Sequence, residues 1–151
     1  MRSSGALMKP SRKFLFTSAA TGLSQLAAFF IWELTRRSDL ESQANTLMTE
    51  SMTHFLSDGD SGSIYAHADP QASINLLDPT ILGRYGRLVV IDPPQGGAQI
   101  PSSLSGITPT AQFVATAHFG LGKVSSEAIM TYRDGMWIFT HFSVIPGPLA
   151  E

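Results

Sequence analysis

Residues 14–32, FLFTSAATGLSQLAAFFIW, carry no charged side chain, while Arg12 and Lys13 stand directly before them and Glu33, Arg36 and Arg37 follow. An α-helix rises about 1.5 Å per residue, so roughly 20 such residues cover the ~30 Å hydrocarbon core of a bilayer. The run is just long enough. A chain of 151 residues that gives this segment to a membrane keeps room for one small domain. The expectation is a basic segment at 1–13, a transmembrane helix at 14–32, a connector at 33–38, a folded domain at 39–146 and a tail at 147–151.

The flanking charges imply an orientation. Arg2, Lys9, Arg12 and Lys13 precede the run with no acid among them, whereas Glu33, Asp39 and Glu41 mix with Arg36 and Arg37 after it. The positive-inside rule then puts the N-terminus in the cytoplasm and the domain on the far side of a bacterial inner membrane, periplasmic or otherwise extracytoplasmic. A cleaved signal would end in small residues in an A-x-A-like pattern. Here Ala27-Ala28-Phe29-Phe30-Ile31-Trp32 is bulky, and Trp32 suits the membrane edge, so the segment is expected to be retained. Ser11-Arg12-Lys13-Phe14-Leu15-Phe16 resembles a twin-arginine export motif with lysine in place of one arginine. Thr21, Ser24, Gln25 and Ala28 fall on one side of the helix. Small and hydroxyl residues let helices approach closely in lipid, and Gln25 offers a hydrogen bond across the contact, so this side is the expected meeting point with another membrane subunit. The other reading is that the hydroxyls bond back to their own helix.

Charge and cysteine content narrow what the domain does. After Ser38, four basic against eleven acidic residues leave a net charge of −7, which gives no electrostatic footprint for nucleic acid and favours a basic or neutral protein partner. With no cysteine, disulfides, thiolate metal sites and cysteine nucleophiles are excluded. The 15% charged and 43% hydrophobic fractions suit a folded core rather than a disordered chain.

The domain opens with Leu40, Ala44, Leu47, Met48, Ser51, Met52 and Phe55 at three- and four-residue steps, an amphipathic helix that stops at Ser57-Asp58-Gly59-Asp60. It either continues the membrane helix or breaks from it near Arg37-Ser38-Asp39. A short helix is expected over 63–68, ended by Pro70, and another after Asp78, an N-cap with Pro79 behind it. Leu88-Val89-Val90-Ile91 reads as a short buried strand, and 95–109, rich in Gly, Ser and Pro, as a mobile loop or irregular edge. The alternation over 111–119, 124–132 and 136–144 predicts three antiparallel strands, the last two joined at Asp134-Gly135. In the third, Trp137 and Phe139 are out of phase with Phe142 and Val144, which predicts a bulge near Thr140-His141. Pro146-Gly147-Pro148 is expected to end the sheet.

This order of elements resembles the nuclear transport factor 2-like (cystatin-like) α+β cone. Phe55-Leu56-Ser57-Asp58-Gly59-Asp60 is similar to the end of that fold's first helix, and the stretch from Tyr132-Arg133-Asp134-Gly135-Met136-Trp137 to Val144 is similar to its final hairpin with a buried tryptophan. The resemblance implies a cone-shaped antiparallel sheet packed on a long helix. The superfamily includes isomerases, cyclases and dehydratases, and also non-catalytic domains on membrane anchors, such as the inner-membrane assembly component of type IV secretion systems.

Two functions follow as expectations. One is a non-catalytic subunit or assembly factor of a membrane complex, with Thr21, Ser24, Gln25 and Ala28 as helix contacts and Ile100, Leu104 and Ile107 as a second, exposed apolar contact. The same loop residues also read as a cap on the open end of the cone. The other function is a membrane-tethered small-ligand binder or isomerase/dehydratase-like enzyme using a pocket inside the cone. It would need Tyr65, Asp92, His118, Tyr132 or His141 to converge there, and His67 and Asp69 are further candidates. The four histidines show no HxH or HxxxH spacing, no glycine-rich phosphate loop is present, and no cofactor or metal is expected.

Overall fold

A computed structural model describes residues 12–150, and their side chains from residue 22 onward. The expected basic residues Arg2 and Lys9, and the side chains of 12–21 including Thr21, lie outside the described residues. The chain divides between Arg36 and Arg37 into two compact units.

Helix α1 (Arg12–Asp58) contains both the apolar run and the amphipathic stretch, and Arg37-Ser38-Asp39 is helical within it. Gly59 stops it by adopting φ 69°, with its N–H bonded to Phe55 O at 2.9 Å. Among the described residues no helix is long and apolar enough to cross a membrane.

The second unit is α+β, a long helical stretch against a mixed sheet. After α1 come α2 (Gly62–Ala66), β1 (Ala68–Asn75), α3 (Pro79–Gly83), β2 (Leu88–Ile91), β3 (Gln95–Gln99), β4 (Thr110–Phe119), β5 (Gly122–Arg133) and β6 (Met136–Leu149). The sheet order is β1-β6-β5-β4-β2, with β3 also on β4. Asp134 and Gly135, at φ 53° and 82°, make the tight turn between β5 and β6. Asp78 caps α3, accepting from Thr80 N at 2.7 Å. The expected bulge is present: Met130 pairs with Phe139 and Ile129 with His141, so Thr140 is the extra residue. It brings Trp137, Phe139, Phe142 and Val144 all into the core.

Four expectations need correction. The sheet is mixed rather than wholly antiparallel, because β1 pairs with β6 in parallel. Pro70 does not end a helix but sits in β1, an edge strand, where a missing N–H is tolerated. Part of the 95–109 stretch forms β3, whose Gly96 (φ 131°) lies so close to β4 that a Cβ there would be 2.1 Å from Gln112 O. Strand β6 runs through Pro146-Gly147-Pro148 to Leu149, and Tyr85 Oη donates to Gly147 O at 2.7 Å.

The core joins the C-terminal part of α1 to the inner face of the sheet. Leu40, Ala44, Met48, Met52 and Phe55 cluster with Phe113, Ala117, Met130, Phe139 and Phe142. Trp137 is buried there and its Nε1–H donates to Leu40 O at 2.9 Å.

Candidate functional site

Between α1 and the inner face of the sheet the interior is packed, and a cavity of about 240 Å³ remains at the C-terminal end of α1, lined by Leu56, Gly59, Pro79, Leu82 and Phe119 among others. Phe55, Phe113, Phe139, Phe142, Met48, Met52 and Met130 are fully buried side chains of one continuous core. The hydroxyls of Ser51 and Ser126 are also buried within the domain, without hydrogen-bond partners among the described residues.

The chemical candidates do not converge in that interior. Tyr65 is exposed on α2. His67 lies after α2, its Nδ1 3.0 Å from Ser63 O. Tyr132 stacks edge-on against Trp137, with ring centroids 5.4 Å apart. His141 is half-buried on β6, opposite Ile129 on one side and Ser73 on the other. Asp92 and His118 do meet, at 2.8 Å between Oδ2 and Nε2. An ionised carboxylate only accepts, so Nε2 carries the hydrogen and Nδ1 is left as the second ring nitrogen. His118 alternates with the core residues Ala117 and Phe119 and points from the opposite face, across from Lys123. No hydroxyl is hydrogen-bonded to its ring among the described residues. The pair therefore ties the end of β2 to β4, beside the backbone bond from Asp92 N to Thr116 O at 2.8 Å.

A separate, open cavity of about 600 Å³ lies where two irregularities coincide, lined by Asp69, Pro70, Gln71, Ala72, Arg133 and Thr140. Strand β1 loops away from β6 between Ala68 and Ser73, opposite the Thr140 bulge. Asp69 holds Arg133 Nη1 at 3.0 Å through Oδ2 and Gln71 N at 2.9 Å through Oδ1. Among the described residues no group of side chains could hold a metal ion.

The apolar surfaces carry more information. On α1, Leu23, Leu26, Phe30, Ile31 and Leu34 are exposed, Phe30 at 64% and Leu34 at 66%. Their three- and four-residue steps put them broadly on one side of the helix, but exposure is not confined to it: from 22 to 35 every residue except Phe29 and Glu33 is exposed, Trp32 included. Of the expected helix contacts, Ser24, Gln25 and Ala28 are exposed as well. Of the loop candidates, Ile100 packs against the core, whereas Leu104 and Ile107 are exposed. A serine network shapes that loop: Leu104 N bonds to Ser102 Oγ, Ser105 Oγ to Ser102 O, and Ile107 N to Ser105 Oγ.

Sequence reasoning missed one feature. Strand β2 was expected to be buried, yet Val89 and Val90 are 70% and 51% exposed. The pairing slips between Leu88 and Val90, so β2 is bulged. That slip lets Leu88 and Ile91 both reach the core and leaves both valines outside.

The sequence matches no protein-family model and no curated protein. Among solved structures, a designed NTF2-like protein is similar to it at 11% identity over 68% of this chain and 97% of that one, with a TM-score of 0.42.

Proposed function

We propose that this protein is a non-catalytic subunit or assembly factor of a larger membrane complex, of the anchored NTF2-like kind, and that the apolar side of α1 around Leu23, Leu26, Phe30, Ile31 and Leu34 joins it to that complex. The observation that carries this reading is the uncovered, uncharged apolar surface of α1 from 22 to 32, of which only Phe29 is not exposed. Contiguous apolar surface of this kind marks protein or membrane contact in soluble and anchored proteins alike. Uncharged residues 14–32 between basic flanks support a bilayer as part of the setting, with the acidic domain on the extracytoplasmic side. Purification of the full chain in mild detergent, with mass spectrometry of what co-elutes, tests the reading. A stoichiometric partner of different sequence is expected, and a chain that elutes without one contradicts it. Protease added to spheroplasts should digest the domain, and full protection would refute the orientation.

A second reading, a tethered binder of a small polar ligand, is favoured by the Asp69–Arg133 cavity rather than by the interior of the cone. Asp69 fixes the half-exposed Arg133 guanidinium through one nitrogen, and the remaining N–H donors suit a ligand's carboxylate. Saturable binding of a free amino acid, lost in Arg133→Ala, would support it.

A further inference from the structure

The two end strands of the sheet are unlike each other. The β1 edge carries Asp69, Pro70 and an irregular loop, features that discourage pairing with another strand. The β2 edge is short and bulged between Leu88 and Val90, but within Leu88-Val89-Val90-Ile91 it carries no charge and no proline, and its outer side pairs with no strand among the described residues. Val89 and Val90 stand exposed on it.

The residues that bracket β2 are of opposite charge, Arg87 before it and Asp92 after it. In an antiparallel pair of identical strands each start lies beside the other's end. Arg87 of each copy then comes within reach of Asp92 of the other, with the valines between. A parallel pair would set like charges together. Arg87 forms no ion pair within the described residues, and Asp92 is held in place by His118 through Oδ2 alone. The bracketing charges thus complement a second copy of the same strand, in one direction only.

We infer that β2 is a self-association edge, through which two copies of this chain join their sheets by antiparallel β2–β2 pairing about a twofold axis. The contact is short, so it is a weak or auxiliary one. It does not depend on where the chain resides or on what α1 binds.

The chain has no cysteine, so single-cysteine variants report one position each. In the full-length protein in detergent, Val90→Cys and Val89→Cys are oxidised mildly and followed on non-reducing gels, with Ile145→Cys as an equally exposed position on β6. Disulfide-linked dimer is expected from at least one valine variant about tenfold faster than from Ile145→Cys. In that background Arg87→Glu should slow the cross-link about tenfold, whereas Arg87→Lys should not. Equal rates at β2 and Ile145, no cross-link at either valine, or indifference to Arg87→Glu would each overturn the inference.

Discussion

Two stretches of α1 follow the same rule and meet different fates. From Leu40 to Leu56 the apolar residues recur at helical spacing and are buried by the sheet, down to complete burial at Ala44, Met48 and Met52. From Leu23 to Leu34, Leu23, Leu26, Phe30 and Leu34 recur at the same spacing and stay exposed, as do the residues between them except Phe29 and Glu33. Spacing therefore marks a surface to be covered without naming the cover. The domain supplies its own for the first stretch. Each apolar Å² removed from water stabilises by roughly 25 cal/mol, so the second stretch is a standing incentive for lipid or another chain to bind. The two tryptophans mirror the contrast: Trp137 is buried and hydrogen-bonded to α1, while Trp32 is half exposed.

The contrast breaks most visibly under truncation. Phe139→Ala opens the covered side and should cost about 3–5 kcal/mol, whereas Phe30→Ala should change domain stability by less than about 0.5 kcal/mol. Urea unfolding followed by circular dichroism measures both, and similar losses would erase the distinction. Trp137→Phe keeps most of the ring but leaves the buried Leu40 carbonyl one donor short, with an expected loss of about 1–2 kcal/mol in the same assay. Ser126→Ala removes a buried hydroxyl that has no partner among the described residues, and should raise stability by up to about 1 kcal/mol if apolar packing alone holds the covered side. The smallest effect is expected at α3, away from both stretches. Hydrogen bonds from the Thr80 side chain and backbone N–H hold the Asp78 carboxyl below its ordinary 3.8. A carboxylate with a depressed folded value stabilises fully above 3.8, and that contribution fades as pH falls through the lowered value. Wild type and Asp78→Ala should therefore differ in melting temperature at neutral pH and converge in strong acid.

Features set by near neighbours were legible in the sequence. The Asp134-Gly135 turn, the Asp78 cap, the three long strands and the Thr140 bulge each follow from a few adjacent residues. What was hidden depended on distant partners. Asp69-Pro70 reads locally as a helix end and becomes a strand only because β6 offers an edge to it. The glycines of β3 look like loop until β4 comes close enough to exclude a side chain. Asp92 and His118 were each recognisable as candidates, but their meeting depends on the register of β2 against β4. The exposure of Val89 and Val90 follows from a bulge that the pattern Leu-Val-Val-Ile does not announce.

The central claim is that the exposed side of α1 is the joining surface. The direct measurement is co-purification of the full chain, as wild type and as the double variant Leu26→Glu/Phe30→Glu, with the melting temperature of each recorded. The account expects a stoichiometric partner with the wild type, its loss in the variant, and an unchanged domain melting temperature in both. Retention of the same partner by the variant would contradict it.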